Sequence, residues 1–155
     1  MYVEGGAGAV SPRGKDISEL RVLMVEDETI YVRFVIAALV KLGISPDNIH
    51  HVTSLADARQ NLAENRYDIL LTDNDFFTQN GDAKPTPNLG LELLKDEGLP
   101  SIKVMYSGRA VEEVIVEAKK YGAHFMTKDP KQLYQHLAER LAALGYEPQP
   151  PTRLN

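Results

Sequence analysis

Five short apolar runs, each followed by a segment with helical period, constrain this chain more than any other feature. The runs are Arg21–Val25, Asn48–Val52, Asp68–Thr72, Ile102–Tyr106 and His124–Thr127. Their length and β-branched content are those of strands. The first helical stripe is Val32, Val35, Ile36, Leu39 and Leu42, stopped by Gly43. The second is Leu55, Ala58 and Leu62, opened by Ser54-Leu55-Ala56-Asp57, which fits a capping box. A short third holds Leu91 and Leu94, and the fourth runs Val111, Val114, Ile115 and Ala118 to Gly122. The last runs Leu133, Leu137, Leu141 and Leu144, with Asp129 as N-cap and Pro130 at the first helical position. Strands that alternate with helices imply βαβ units and a parallel sheet covered on both faces. Right-handed crossovers then give a doubly wound, five-stranded α/β fold with five helices.

The chain has 155 residues, enough for one domain. The Gly-rich, polar stretch from Met1 to Glu19 reads as a flexible leader, residues 20–145 as the domain, and the Pro-rich residues 146–155 as a tail. Neither end resembles a signal peptide, and no apolar run approaches the roughly 20 residues that span a bilayer. With 22 acidic against 17 basic residues and no dense basic run, binding to nucleic acid is not expected. The absence of cysteine excludes disulfides, thiolate catalysis and cysteine-ligated zinc. A cytoplasmic domain without membrane or nucleic-acid partners is the expectation.

In doubly wound sheets, ligands bind beyond the carboxyl ends of the strands, where strand order reverses. The first strand ends in Glu26-Asp27-Glu28, the third in Asp73-Asn74-Asp75, the fourth in Ser107-Gly108 and the fifth in Lys128-Asp129. Each taken alone is an ordinary helix cap or solvated charge. Gathered on one rim, the carboxylates repel one another unless a cation is present. Oxygen-only donors suit a hard ion such as Mg²⁺. Such a set supports phosphoryl transfer to a carboxylate, with Asp73 as the central nucleophile and Asp27 on the metal.

These residues resemble the receiver domain of two-component response regulators. RVLMVEDE matches that family's first strand and acidic pair, and YDILLTD its third strand with the phosphoacceptor. GLELLK matches the opening of its third helix, KVMYSG its hydroxyl position and the lysine of HFMTKDP its lysine. The resemblance covers about Leu20 to Leu144. It implies a flavodoxin-like sheet of order 2-1-3-4-5 and phosphorylation of Asp73. It also implies Mg²⁺ (or Mn²⁺) held by Asp27, Asp73 and the main-chain carbonyl of Asp75, with Glu26 acting through water. Ser107 would bond the phosphoryl group, Lys128 would pair with it, and Ser107 with Phe125 would form the switch. A histidine kinase or phosphotransfer protein would donate the phosphoryl group. A downstream protein target would read the face made by the fourth helix, fifth strand and fifth helix, where Tyr121 and Tyr134 are candidate contacts.

Three departures from the pattern carry expectations of their own. Asp129 stands between Lys128 and Pro130, so the Lys128–Asp129 bond is expected trans and the loop shifted. Gly90 lies 17 positions after Asp73, about twice the usual spacing, so the intervening polar stretch reads as a surface insertion or as a lid beside the site. Asp75 and Arg109 flank the expected path of the attacking water and are candidates for slowing hydrolysis. The alternatives are a degenerate receiver acting as an unphosphorylated binding module and a haloacid-dehalogenase-type phosphatase. The phosphatase would need its nucleophile on the first strand, where the acidic pair stands instead. An EF-hand beginning at Asp73 fails at Phe77 and Thr78, and no glycine-rich nucleotide loop follows a strand. His50 and His51 read as strand residues away from the rim.

Overall fold

A computed structural model describes residues 16–108 and 111–146. The strands are β1 (Val22–Val25), β2 (Ile49–Val52), β3 (Ile69–Thr72), β4 (Ile102–Ser107) and β5 (His124–Thr127). The helices are α1 (Thr29–Leu42), α2 (Leu55–Glu64), α3 (Leu89–Leu94), α4 (Glu112–Lys120) and α5 (Pro130–Ala143). All pairings are parallel and the order is β2-β1-β3-β4-β5, so the expected doubly wound α/β topology is present. Every residue of β1 and β3 is buried, because both strands are covered on two faces. The edge strands β2 and β5 are only partly covered.

Alternation along the strands divides the core. Val22, Met24, Leu71 and Tyr106 pack with α1 and α5, whereas Leu23, Val25, Leu70 and Met105 pack with α2, α3 and α4. The α1 stripe buries Val32, Val35, Leu39 and Leu42, together with Tyr31 and Ala38, while Ile36 is only partly covered. Gly43 ends the helix in the left-handed region at φ 110°, its N–H donating to the carbonyl of Val40. Asp129 caps α5 by accepting from the N–H of Lys131 at 3.0 Å. Half of the expected capping box forms at α2. Ser54 accepts from the N–H of Asp57, but the Asp57 carboxylate accepts from Asn80 at 2.6 Å instead of closing back on the cap. The fold also begins earlier than the expected boundary at residue 20: Ile17–Glu19 forms a 3₁₀ turn, and Ile17 and Leu20 are buried in the α1/α5 core. Tyr146, assigned to the tail, is buried in the same core. The rest of the expected leader and tail lies outside the described residues.

Gly90 sits where α3 starts against the carboxyl end of β3. A Cβ there would collide with the main chain of Asp73 and Asn74, so close backbone approach requires glycine. Gly90→Ala is expected to cost about 1–3 kcal/mol of stability in urea unfolding. Gly108→Ala, whose Cβ meets nothing within 4 Å, is expected to be near neutral.

On the α5 side, the rings of His124 and His136 lie with centroids 4.6 Å apart. Burial, with Arg140 and Lys119 beside His124 and with His124 and Arg140 beside His136, holds both below the ordinary histidine range. At these two positions the unfolded chain therefore takes up protons first as pH falls, so the histidine pair lowers stability below about pH 6.5. The unfolding midpoint of His136→Gln is expected to fall less than that of the unsubstituted protein between about pH 7.5 and about pH 5.5.

Candidate functional site

The strands β1, β3, β4 and β5 deliver their next residues to one rim, beside the point where strand order reverses. The N–H of Glu26 donates to the carbonyl of Val52 at 3.0 Å, and that of Asp73 to Val25 at 2.9 Å, extending the ladder by one step. The N–H of Lys128 donates to the carbonyl of Ser107 in the same way. The described residues include no cis peptide, so the Lys128–Asp129 bond is trans as expected. The intervening Asp129 costs Lys128 no reach. Its ammonium lies 2.9 Å from Asp73 Oδ2, 3.1 Å from Glu26 Oε1 and 2.5 Å from Glu28 Oε1. It also lies 4.9 Å from the ring centre of Tyr31 and 5.9 Å from that of Tyr106.

Glu26 is fully buried. Burial, and then the negative charge of Asp73, push its carboxyl up to about 8, against the opposing pull of the Glu28 N–H and of Lys128. Burial likewise raises Asp73, opposed by Lys128 and by the N–H of Asn74, which donates to Oδ1 at 2.6 Å. Burial alone would lower Lys128, but Glu28, Asp73 and Glu26 outweigh it and hold the ammonium above its ordinary range. Burial also raises the phenols of Tyr31 and Tyr106.

A cleft of about 240 Å³ opens over this group, lined by Asp27, Asp73, Asp75, Ser107 and Lys128, with Glu28, Gly108 and Pro85. A larger recess of about 490 Å³ lies at the opposite end of the sheet, between Glu64–Asp68 and Gly98–Ser101. The smaller one gathers the carboxylates, the hydroxyl and the ammonium that follow the strands. Glu26, Glu28 and Asp73 each present an oxygen within 4.8 Å of the others. The buried Glu26 Oε1 has no aligned hydrogen-bond donor although it faces Lys128. An all-oxygen set with an underused buried carboxylate oxygen fits a hard divalent cation.

Of the residues singled out in the sequence, Glu26, Asp73 and Lys128 are in direct contact, and Asp27, Asp75 and Ser107 line the cleft. Phe125 is partly buried against the core on the α4 side. Arg109 lies outside the described residues. The Asp75 carboxylate accepts from the N–H of Asn88 at 3.0 Å, within its own loop. Of the two histidines of β2, His51 is nearer the rim than expected, a ring nitrogen lying 2.7 Å from the carbonyl oxygen of Glu26, whereas His50 points away from it and pairs with the hydroxyl of Tyr67. Glu28 and Pro85 went unassigned in the sequence. Glu28 was signalled only by being the third acid in a row, whereas Pro85 is twelve positions beyond Asp73 in a stretch with no periodic pattern.

The fold is that of response-regulator receiver domains, as its solved neighbours show. A CheY-like receiver domain protein from Methanospirillum hungatei matches with a TM-score of 0.62 and 21% identity, over 81% of this chain and 95% of that one. The signal receiver domain of a LuxO repressor-type protein from Vibrio parahaemolyticus gives 0.64 and 19%, over 81% and 92%. A two-component response regulator from Clostridium difficile gives 0.63 and 18%, over 80% and 97%. No protein-family model and no curated protein matches the sequence.

Removing Lys128 leaves two buried carboxylates without their cation. Lys128→Met is expected to cost about 3–5 kcal/mol, and adding Glu26→Gln is expected to recover much of that loss. Glu28→Gln, which removes a mostly exposed carboxylate, is expected to change stability by less than about 1 kcal/mol. Urea unfolding of the three variants at one pH checks the order.

Proposed function

We propose that the chain is a phosphorylation-switched receiver of a two-component or phosphorelay system, with Asp73 as phosphoacceptor. The observation that carries this reading is the Lys128 ammonium 2.9 Å from Asp73 in a cleft that Ser107 also lines. A carboxylate oxygen of Asp73 attacks phosphorus of a phosphohistidine on a histidine kinase or phosphotransfer protein. The P–N bond breaks, and the imidazole nitrogen leaves with the bonding pair and takes a proton from solvent. Lys128 then exchanges carboxylate contacts for a phosphoryl oxygen, and Ser107 donates its hydroxyl to another. Glu26, Asp27, Asp73 and the carbonyl of Asp75 would hold Mg²⁺ or Mn²⁺, which supplies positive charge against the phosphoryl oxygens.

The exposed apolar side chains of Ile30 and Phe34 stand one turn apart on α1, which begins beside the acidic rim. They suit a phosphodonor that must bring its phosphohistidine over Asp73. Phosphorylation, sensed by Ser107 and Phe125, biases the domain between two states and changes the α4-β5-α5 face, where Tyr121 and Tyr134 are candidate contacts, toward a downstream protein. This assignment makes the protein a signalling domain of the cytoplasm rather than an enzyme with turnover.

Incubation with Mg²⁺ and acetyl phosphate, followed by intact-mass measurement, tests the reading. One phosphoryl adduct is expected on the unsubstituted protein, and none on Asp73→Asn or with the metal chelated. An adduct that survives Asp73→Asn overturns it.

A further inference from the structure

We propose that residues 74–88 form a fixed wall on the solvent side of Asp73 that shields its acyl phosphate from water, an inference that rests on Asp73 being the phosphoacceptor. The segment is docked at both ends and along its length. Phe76 is fully buried among Leu23, Leu55 and Leu93 in the α2/α3 core. The Phe77 N–H donates to the carbonyl of Thr53, and the first two N–H groups of α2, on Leu55 and Ala56, donate to the carbonyls of Phe77 and Thr78. The first four N–H groups of a helix lack intrahelical partners, and here the loop satisfies two of them. Asn80 pins the exposed tip to Asp57 and Thr53. At the far end Asn88, at φ 64°, bonds both Asn74 and Asp75.

Pro85 is placed by this scaffold. Its neighbour Thr86 donates its N–H to the carbonyl of Phe76 at 2.7 Å, in an antiparallel bridge that brings Pro85 back over the cleft. Two loop residues therefore line the space above Asp73: Asp75 and Pro85. Hydrolysis requires a water oxygen to attack phosphorus opposite the bond to Asp73. That P–O bond then breaks, the carboxylate is restored, and inorganic phosphate leaves with the proton of the water. Such a water must be held by two or more polar partners. Pro85 has no N–H and presents an apolar ring. Asp75, the one acid of the wall facing the site, already accepts from Asn88 through Oδ1. The wall thus narrows the approach, holds the Asp75 carboxylate in place and, at Pro85, offers an incoming water no donor.

The test measures the lifetime of the phosphoryl adduct. The 155-residue protein is phosphorylated with acetyl phosphate and Mg²⁺, the donor is removed, and the adduct is followed by intact mass. Pro85→Ser, which restores an N–H and adds a hydroxyl at an exposed position, is expected to speed decay about tenfold. Pro85→Ala, which removes the ring alone, is expected to fall between. Lys84→Ala, on the exposed tip, is expected to stay within about twofold of the unsubstituted protein. Equal decay of all four proteins overturns the wall and leaves the phosphoacceptor reading standing. No adduct on the unsubstituted protein overturns the phosphoacceptor reading itself.

Discussion

Two carboxyl groups as close and as buried as Glu26 and Asp73 repel each other and lose their hydration when charged, and both can ionise only with a cation between them. Lys128 is that cation. Its ammonium distributes three N–H donors among Asp73, Glu26 and Glu28, and the faces of Tyr31 and Tyr106 close the remaining approach. The same contacts that stabilise this group leave it poised, because any anion entering the cleft competes for the same donors. The exposed Glu28 is the partner most easily released to water, whereas Glu26 has no such outlet.

The sheet makes this grouping possible. Parallel strands all point their carboxyl ends one way, and the reversal of order at β1 and β3 sets the two acidic strand ends side by side. Gly90 then lets α3 approach the main chain of Asp73 and Asn74. The long segment before Gly90 is held to the same edge through Phe76 and the start of α2, so Asp73, its neighbouring loop and two helix starts form one packed unit.

Much of this was readable from residue pattern. Strands β1 and β3 are unbroken apolar runs because both of their faces are covered, and such runs identify themselves. Asp129-Pro130 and Gly43 marked helix ends through local backbone chemistry that tertiary packing did not override. Lys128 and Asp73, 55 positions apart, could be joined on paper because each follows a strand. The docked loop was not legible. Its fixity depends on one buried side chain, Phe76, and on main-chain bonds to residues 53–56, and neither leaves a periodic trace in a polar, turn-rich stretch. The ion pair of Glu28 was hidden for a similar reason: at the N-cap of α1 its side chain caps nothing and turns to Lys128, a hundred residues away.

The central claim is that a phosphoryl group forms an acyl bond to Asp73 among these charges. Borohydride reduction of the protein after exposure to Mg²⁺ and acetyl phosphate, followed by peptide mass mapping, reads that bond at its own carbon. The account predicts homoserine in place of Asp73 and unaltered side chains at Glu26, Asp27, Glu28 and Asp75. Reduction at one of those neighbours, or a phosphoryl group that resists borohydride, would contradict it.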